Sequence, residues 1–218
     1  MCSNLDAGIV FSGSYIIDEN KNVISKIKPW NFNGYAFKKI ISQASSGGCN
    51  ASSCMIRKDI FDKIGYFNEA RALSGSEDWE MWARVSVCSK FVSTNRYTVM
   101  LRFHKEQSSL RIDSMAKSMI LAIDSIYKNV EILPKIKTIK KHAYSSLYTI
   151  IAINYYAYGN MKNAYKYIKK AIIAYPLSIF VNKYLAYTFL RALLGSRLSC
   201  FMRRAKRYFN TKIYTLFK

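Results

Sequence analysis

The sequence predicts an α/β module over residues 1–112 followed by an all-α tail over residues 113–218, and three observations carry that division. Short β-rich runs alternate with helical spacing up to about Ile112, after which only helical spacing remains. The charge balance changes at the same place: residues 1–112 hold 15 Lys+Arg against 10 Asp+Glu, residues 113–218 hold 19 against 3, and no Asp or Glu follows Glu131. Half of the 218 residues are hydrophobic, which is enough for a packed core and argues against a disordered chain.

The elements follow in order. Ile9–Ile17 and Val23–Ile27 are β-rich, and Asp18-Glu-Asn-Lys-Asn22 between them is turn chemistry, so a hairpin is expected. Pro29 to Asn33 reads as a loop. Tyr35–Ser42 has helical spacing, with Ala36, Phe37, Ile40 and Ile41 apolar. Ser45-Ser-Gly-Gly-Cys-Asn50 is a loop of small residues, and Ser53–Arg57 a short buried strand. Lys58–Ile64 reads as a helix with Asp59 in its first turn and Gly65 as its stop. A loop leads to a second helix at Glu77–Cys88, and Phe91–Ser93 and Tyr97–Phe103 read as two strands. Helices are expected at 114–128, Ile136–Tyr158, Lys162–Ala174 and Ser178–Leu194, with a basic helix near Ser199–Tyr208; Gly159-Asn160 and Tyr175-Pro176 are breaks.

The net charge of +21 points to an anionic partner, either a lipid surface or nucleic acid. Part of the Lys, Tyr, Ile and Asn bias also suits an AT-rich coding sequence. The five cysteines (Cys2, Cys49, Cys54, Cys88 and Cys200) are odd in number and have no C-x-x-C spacing, which fits reduced thiols and a cytoplasmic setting better than a secreted disulfide framework. No secretory leader pattern opens the sequence, and the most apolar stretch, Leu177–Leu194, is interrupted by Asn182, Lys183 and Arg191. Zinc is not expected, since Cys49, Cys54, Cys88 and His104 have no finger spacing.

The chemistry-bearing residues lie in one ordered set. Ser53-Cys-Met-Ile-Arg57 is followed by a helix ending in Gly65-Tyr-Phe-Asn-Glu69. Ser76-Glu-Asp-Trp-Glu-Met-Trp-Ala-Arg84 comes next, then Leu101-Arg-Phe-His104 and Ser108-Ser109. Carboxylates at a helix start are common and favourable on their own. Taken together, over roughly residues 5–112, this order resembles the second, acceptor-side half of family 2 glycosyltransferases. The fold it implies is a partial GT-A-type, Rossmann-like half domain followed by an all-α helical tail.

The resemblance implies an inverting, hexosyltransferase-type reaction, in which a sugar moves from a nucleotide-diphosphate sugar to a glycan or lipid-linked acceptor in cell-envelope polysaccharide synthesis. Such a displacement needs a base for the acceptor hydroxyl. That role falls on Asp78, with Glu77 beside it to raise its basicity or to bind the acceptor. Trp79 is expected to line the site, whereas Trp82 is expected in the core. Gly47 and Gly48 would pass close to the reacting sugar, Arg102 would touch the diphosphate, and His104 would be a metal ligand or a hydrogen-bonding strand-end histidine. A divalent cation, Mg²⁺ or Mn²⁺, is implied for the leaving group, yet no Asp-x-Asp occurs in the sequence. The donor-binding half is therefore expected to be missing and the chain by itself to be inactive. The rival expectation is a catalytically dead remnant that binds membrane or protein.

In the tail, Tyr148, Ile151, Ala152, Tyr155, Gly159, Ala164, Ile168, Ala171 and Pro176 resemble one tetratricopeptide-like helical hairpin, at about 145–178. Basic and aromatic residues interleave over Phe180–Lys218, which suits peripheral contact with an anionic membrane; no motif supports a specific nucleic-acid partner.

Overall fold

A computed structural model describes residues 6–43, 50–104, 111–128 and 139–193. Gly47, Gly48, Cys49, Ser108, Ser109 and the expected helix at Ser199–Tyr208 lie outside them. The chain divides into two compact units, residues 1–147 and 148–218.

The first unit is built on strand β1 (Ala7–Ile17), which is buried almost continuously rather than in alternation, so both of its faces are covered. One edge takes β2 (Val23–Ile27) and β4 (Cys54–Ile56), both antiparallel. The other takes β5 (Lys90–Arg102) in parallel, and β5 in turn pairs with the short β3 (Asn33–Gly34). The β1–β2 turn is held by the Asp18 carboxylate, which accepts from the Asn22 backbone N–H at 2.8 Å, while Lys21 takes the left-handed conformation (φ 65°).

Two strands were expected where the single β5 runs. Between the pairs Phe11↔Ser93 and Gly13↔Tyr97 the register advances two residues on β1 and four on β5. Thr94, Asn95 and Arg96 span this bulge, with Asn95 at φ 54°. The polar run that looked like a loop is thus an irregularity inside a continuous strand.

Three helices complete this layer: α1 (Phe37–Gln43), α2 (Lys58–Ile64) and α3 (Glu77–Cys88). Helix α2 stops where Gly65, at φ 78°, donates its N–H to the Phe61 carbonyl at 2.8 Å. The core gathers Ile9, Phe11, Ile40, Ile41, Met81, Trp82 and Phe91, all essentially sealed from solvent. Trp82 sits in that core, as its place on the apolar face of α3 predicts, edge-on to Phe67.

Helix α4 (Ile112–Lys128) begins where the composition changes, but it packs with the first unit. Its Ser118 hydroxyl donates to the Leu73 carbonyl at 2.9 Å in the interior. Helix α5 (Lys140–Ala157) starts in the first unit, where Tyr144 bonds Asp124 and stacks on Tyr127. The compact units therefore part at Leu147/Tyr148, further along than the shift in charge.

In the second unit, the rest of α5 meets α6 (Met161–Ala174) through Tyr167, whose ring packs against Tyr148 and Tyr155. Ala152, Ala164 and Ala171 are fully buried. The turn uses Gly159 at φ 79° and Asn160, whose side chain caps α6 by accepting from the Asn163 N–H. The single helix expected over Ser178–Leu194 is two, α7 (Ser178–Val181) and α8 (Lys183–Leu193). Asn182 leaves helical geometry, and its side-chain oxygen caps the second piece by accepting from the Leu185 N–H at 3.2 Å. No helix among the described residues is long and apolar enough to cross a membrane.

Candidate active site

Helix α3 carries the site because its first turn concentrates acid. Glu77, Asp78 and Glu80 all fall there, where the positive end of the helix dipole favours them. The chain enters through Gly75 at φ 91°, a conformation that suits glycine. A Cβ at this position would stand 2.5 Å from the Met115 sulfur, so α4 closes directly over the entry turn. The Gly75 N–H donates to the Glu77 carboxylate at 2.5 Å, which turns Glu77 back toward the entering chain. Ser76 is buried and its hydroxyl has no hydrogen-bond partner.

Asp78 points elsewhere. Its Oδ1 accepts the Trp79 backbone N–H at 2.6 Å. Burial raises its pKa from the ordinary 3.8 to about 6; the Trp79 N–H opposes that shift and the Glu77 charge adds to it. A carboxylate poised near 6 is ionised at neutral pH yet basic enough to accept a proton.

The two indoles behind it are packing. Trp79 is 3% exposed and its Nε1–H donates to the Ile40 carbonyl at 3.2 Å, so the ring is spent on α1 and offers no stacking face to solvent. It fixes the backbone whose N–H holds Asp78. One turn on, Glu80 and Arg84 form a buried ion pair at 2.9 Å. Arg84 also donates to the Ile64 carbonyl at 2.6 Å and to the Tyr66 carbonyl at 2.8 Å. This latch ties the end of α2 to α3. Its sequence signal was the Glu-x-x-x-Arg spacing, one helical turn, beside the pair singled out for chemistry.

At its other end, α3 runs into Ser89, whose hydroxyl lies against Gly8 at the start of β1. The helix therefore ends at the N-terminal edge of the parallel pair β1–β5. The family 2 comparison reaches just past this architecture: the model for Glycosyltransferase like family 2 matches residues 1–117. The chain belongs to that family. No curated protein sequence matches it. The match spans β1 to β5 and the first turns of α4, so this family 2 chain holds a partial GT-A-type half domain followed by helices, and the activity class is glycosyl transfer.

The remaining expected residues divide. Arg102 closes β5 and His104 follows it, both exposed, beside the β1–β2 turn where the Phe103 N–H bonds the Ile17 carbonyl at 2.8 Å. Gly47 and Gly48 lie outside the described residues. Glu77, Asp78 and His104 do not gather as a metal centre: among the described residues no three His, Cys, Asp or Glu side chains come together to hold an ion. A divalent cation does not fit this chain's described residues alone.

Proposed function

We propose that this family 2 chain carries the acceptor-activating machinery of an inverting sugar transfer, with Asp78 as general base. The observation that supports it most is the half-buried carboxylate at the start of α3, pushed up to about 6. Asp78 Oδ1 is held by the Trp79 N–H, so Oδ2 is the oxygen that takes the proton from the acceptor hydroxyl. As that proton leaves, the hydroxyl oxygen bonds the anomeric carbon. The bond from that carbon to the diphosphate breaks with inversion, and the electron pair departs with the nucleoside diphosphate. Glu77, anchored by Gly75, keeps a negative charge beside the base, and Trp79 acts by positioning it.

The donor is a nucleotide-diphosphate sugar and the acceptor a glycan or lipid-linked hydroxyl of the cell envelope. The diphosphate and any Mg²⁺ or Mn²⁺ need carboxylates from an Asp-x-Asp segment that this sequence does not contain, with Arg102 and His104 as the contributions from this half. The 218-residue chain is then expected to show no transfer by itself. Supplying a donor-binding half and comparing Asp78→Asn with the parent tests the reading. Transfer should fall by about 10²–10⁴, the usual range for losing a general base, and kcat/KM of the parent should rise with pH through about 6. Unchanged turnover in Asp78→Asn would remove Asp78 from the role. The missing Asp-x-Asp also favours a second reading, a catalytically silent remnant whose basic helices bind a membrane or a protein; in that case no supplied half restores transfer. The tetratricopeptide-like hairpin would serve either as a packing element or as that binding platform.

A further inference from the structure

The second unit presents a cleft that the transfer chemistry does not use. It has a volume of about 350 Å³ and is lined by Tyr165, Ile168, Lys169, Ile172 and Ile173 of α6 and Phe189 of α8. Exposed apolar side chains continue along the chain from its wall: Ile173 is 68% exposed, and Leu177 and Phe180, which follow the end of α6, are 58% and 85% exposed. Lys162, Lys166 and Lys169 stand exposed on the same helix as the cleft wall. Residues 148–193 contain six Lys or Arg and no Asp or Glu. No side-chain carboxylate within this unit can therefore neutralise its cations.

From this we infer that the α6–α8 face docks on an anionic bilayer surface, with Leu177 and Phe180 entering the head-group boundary and the lysines of α6 meeting lipid phosphates. Exposed aliphatic and aromatic side chains gain from apolar burial while cations gain from the negative surface potential, and an anionic bilayer supplies both at once. Nucleic acid would satisfy the lysines but offers nothing to Ile173 or Leu177. A second copy of this chain would bring an equally basic face against the first, and like charges oppose that contact. Since no described helix can span a bilayer, the contact is with the surface. The inference stands apart from the transferase reading, since it uses no residue of the first unit.

The test is co-sedimentation of the full chain with phosphatidylcholine vesicles and with vesicles containing about one-third phosphatidylglycerol. Binding is expected only to the anionic vesicles, weakening as salt rises. The double variant Leu177→Ser/Phe180→Ser should bind roughly tenfold more weakly, because two partly inserted apolar side chains are lost. Both side chains are exposed, so its circular dichroism should match the parent's. Lys162→Gln/Lys166→Gln/Lys169→Gln should weaken binding and flatten the salt dependence. Equal vesicle binding by the parent and the Ser variant would overturn the inference. So would RNA binding without vesicle binding, or a doubled mass in sedimentation that the Ser variant abolishes while vesicles are ignored.

Discussion

At the scale of single residues, Asp78 is a carboxylate whose burial costs stability once it is ionised. Its folded pKa, about 6, lies above the ordinary 3.8, so the folded state holds the proton more tightly than the unfolded chain does. The stability this provides is fully present below about pH 4 and is lost as pH rises through 6. At pH 7–8 the ionised carboxylate is a burden. Asp78→Asn should therefore be more stable than the parent by about 1–3 kcal/mol at pH 8, with the gain vanishing at pH 4; urea titrations at the two pH values measure it. A stabilised variant that has lost transfer is the behaviour of a site residue, whereas a carboxylate serving only the helix dipole would lose about 0.3–1 kcal/mol on the same change. Arg84 behaves oppositely. Arg84→Ala leaves Glu80 charged and buried and frees the α2 terminus, so a loss of about 3–5 kcal/mol is expected from chemical denaturation. Glu80→Gln/Arg84→Met should cost less than Arg84→Ala, because no unpaired charge remains.

At the scale of elements, the entry turn of α3 is set by the helix that covers it. Gly75 holds φ 91° with the Met115 sulfur where a Cβ would point. Gly75→Ala is expected to cost about 1–3 kcal/mol through backbone strain, and adding Met115→Ala should recover only the steric part, leaving the strain. Denaturation of the single and double variants separates the two. Element boundaries were legible wherever the signal was local. Asp18 to Asn22 announced a hairpin, Gly65 announced the end of α2, and the apolar spacing of Glu77–Cys88 gave the whole of α3. They were illegible where partners decided. Nothing in Thr94-Asn-Arg96 says that β5 continues, because only pairing with β1 carries the strand across its bulge. Asn182 resembles an ordinary interior polar residue until its side chain is seen capping α8.

At the scale of the whole molecule, the uneven charge has a thermodynamic consequence. A net charge of +21 with no acid after Glu131 makes self-repulsion a standing cost in the folded chain. Raising the salt from about 0.05 M to about 0.5 M shortens the Debye length from roughly 14 Å to roughly 4 Å, so the thermal midpoint should rise by several degrees. A midpoint that falls would mean that favourable ion pairs outweigh the repulsion. The candidate site divides along the same line between local and non-local information. By itself the sequence determined the α/β-then-α order, the family 2 resemblance and the Glu77-Asp78 pair, because these rest on periodicity, turn chemistry and motif order within short stretches. Only the tertiary structure decided that Trp79 is spent on α1, that Arg84 latches two helices and that α4 joins the first unit. The elevated pKa of Asp78 belongs with them, since desolvation and buried pairing depend on which distant segments come together, and no window of sequence contains both sides of such a contact.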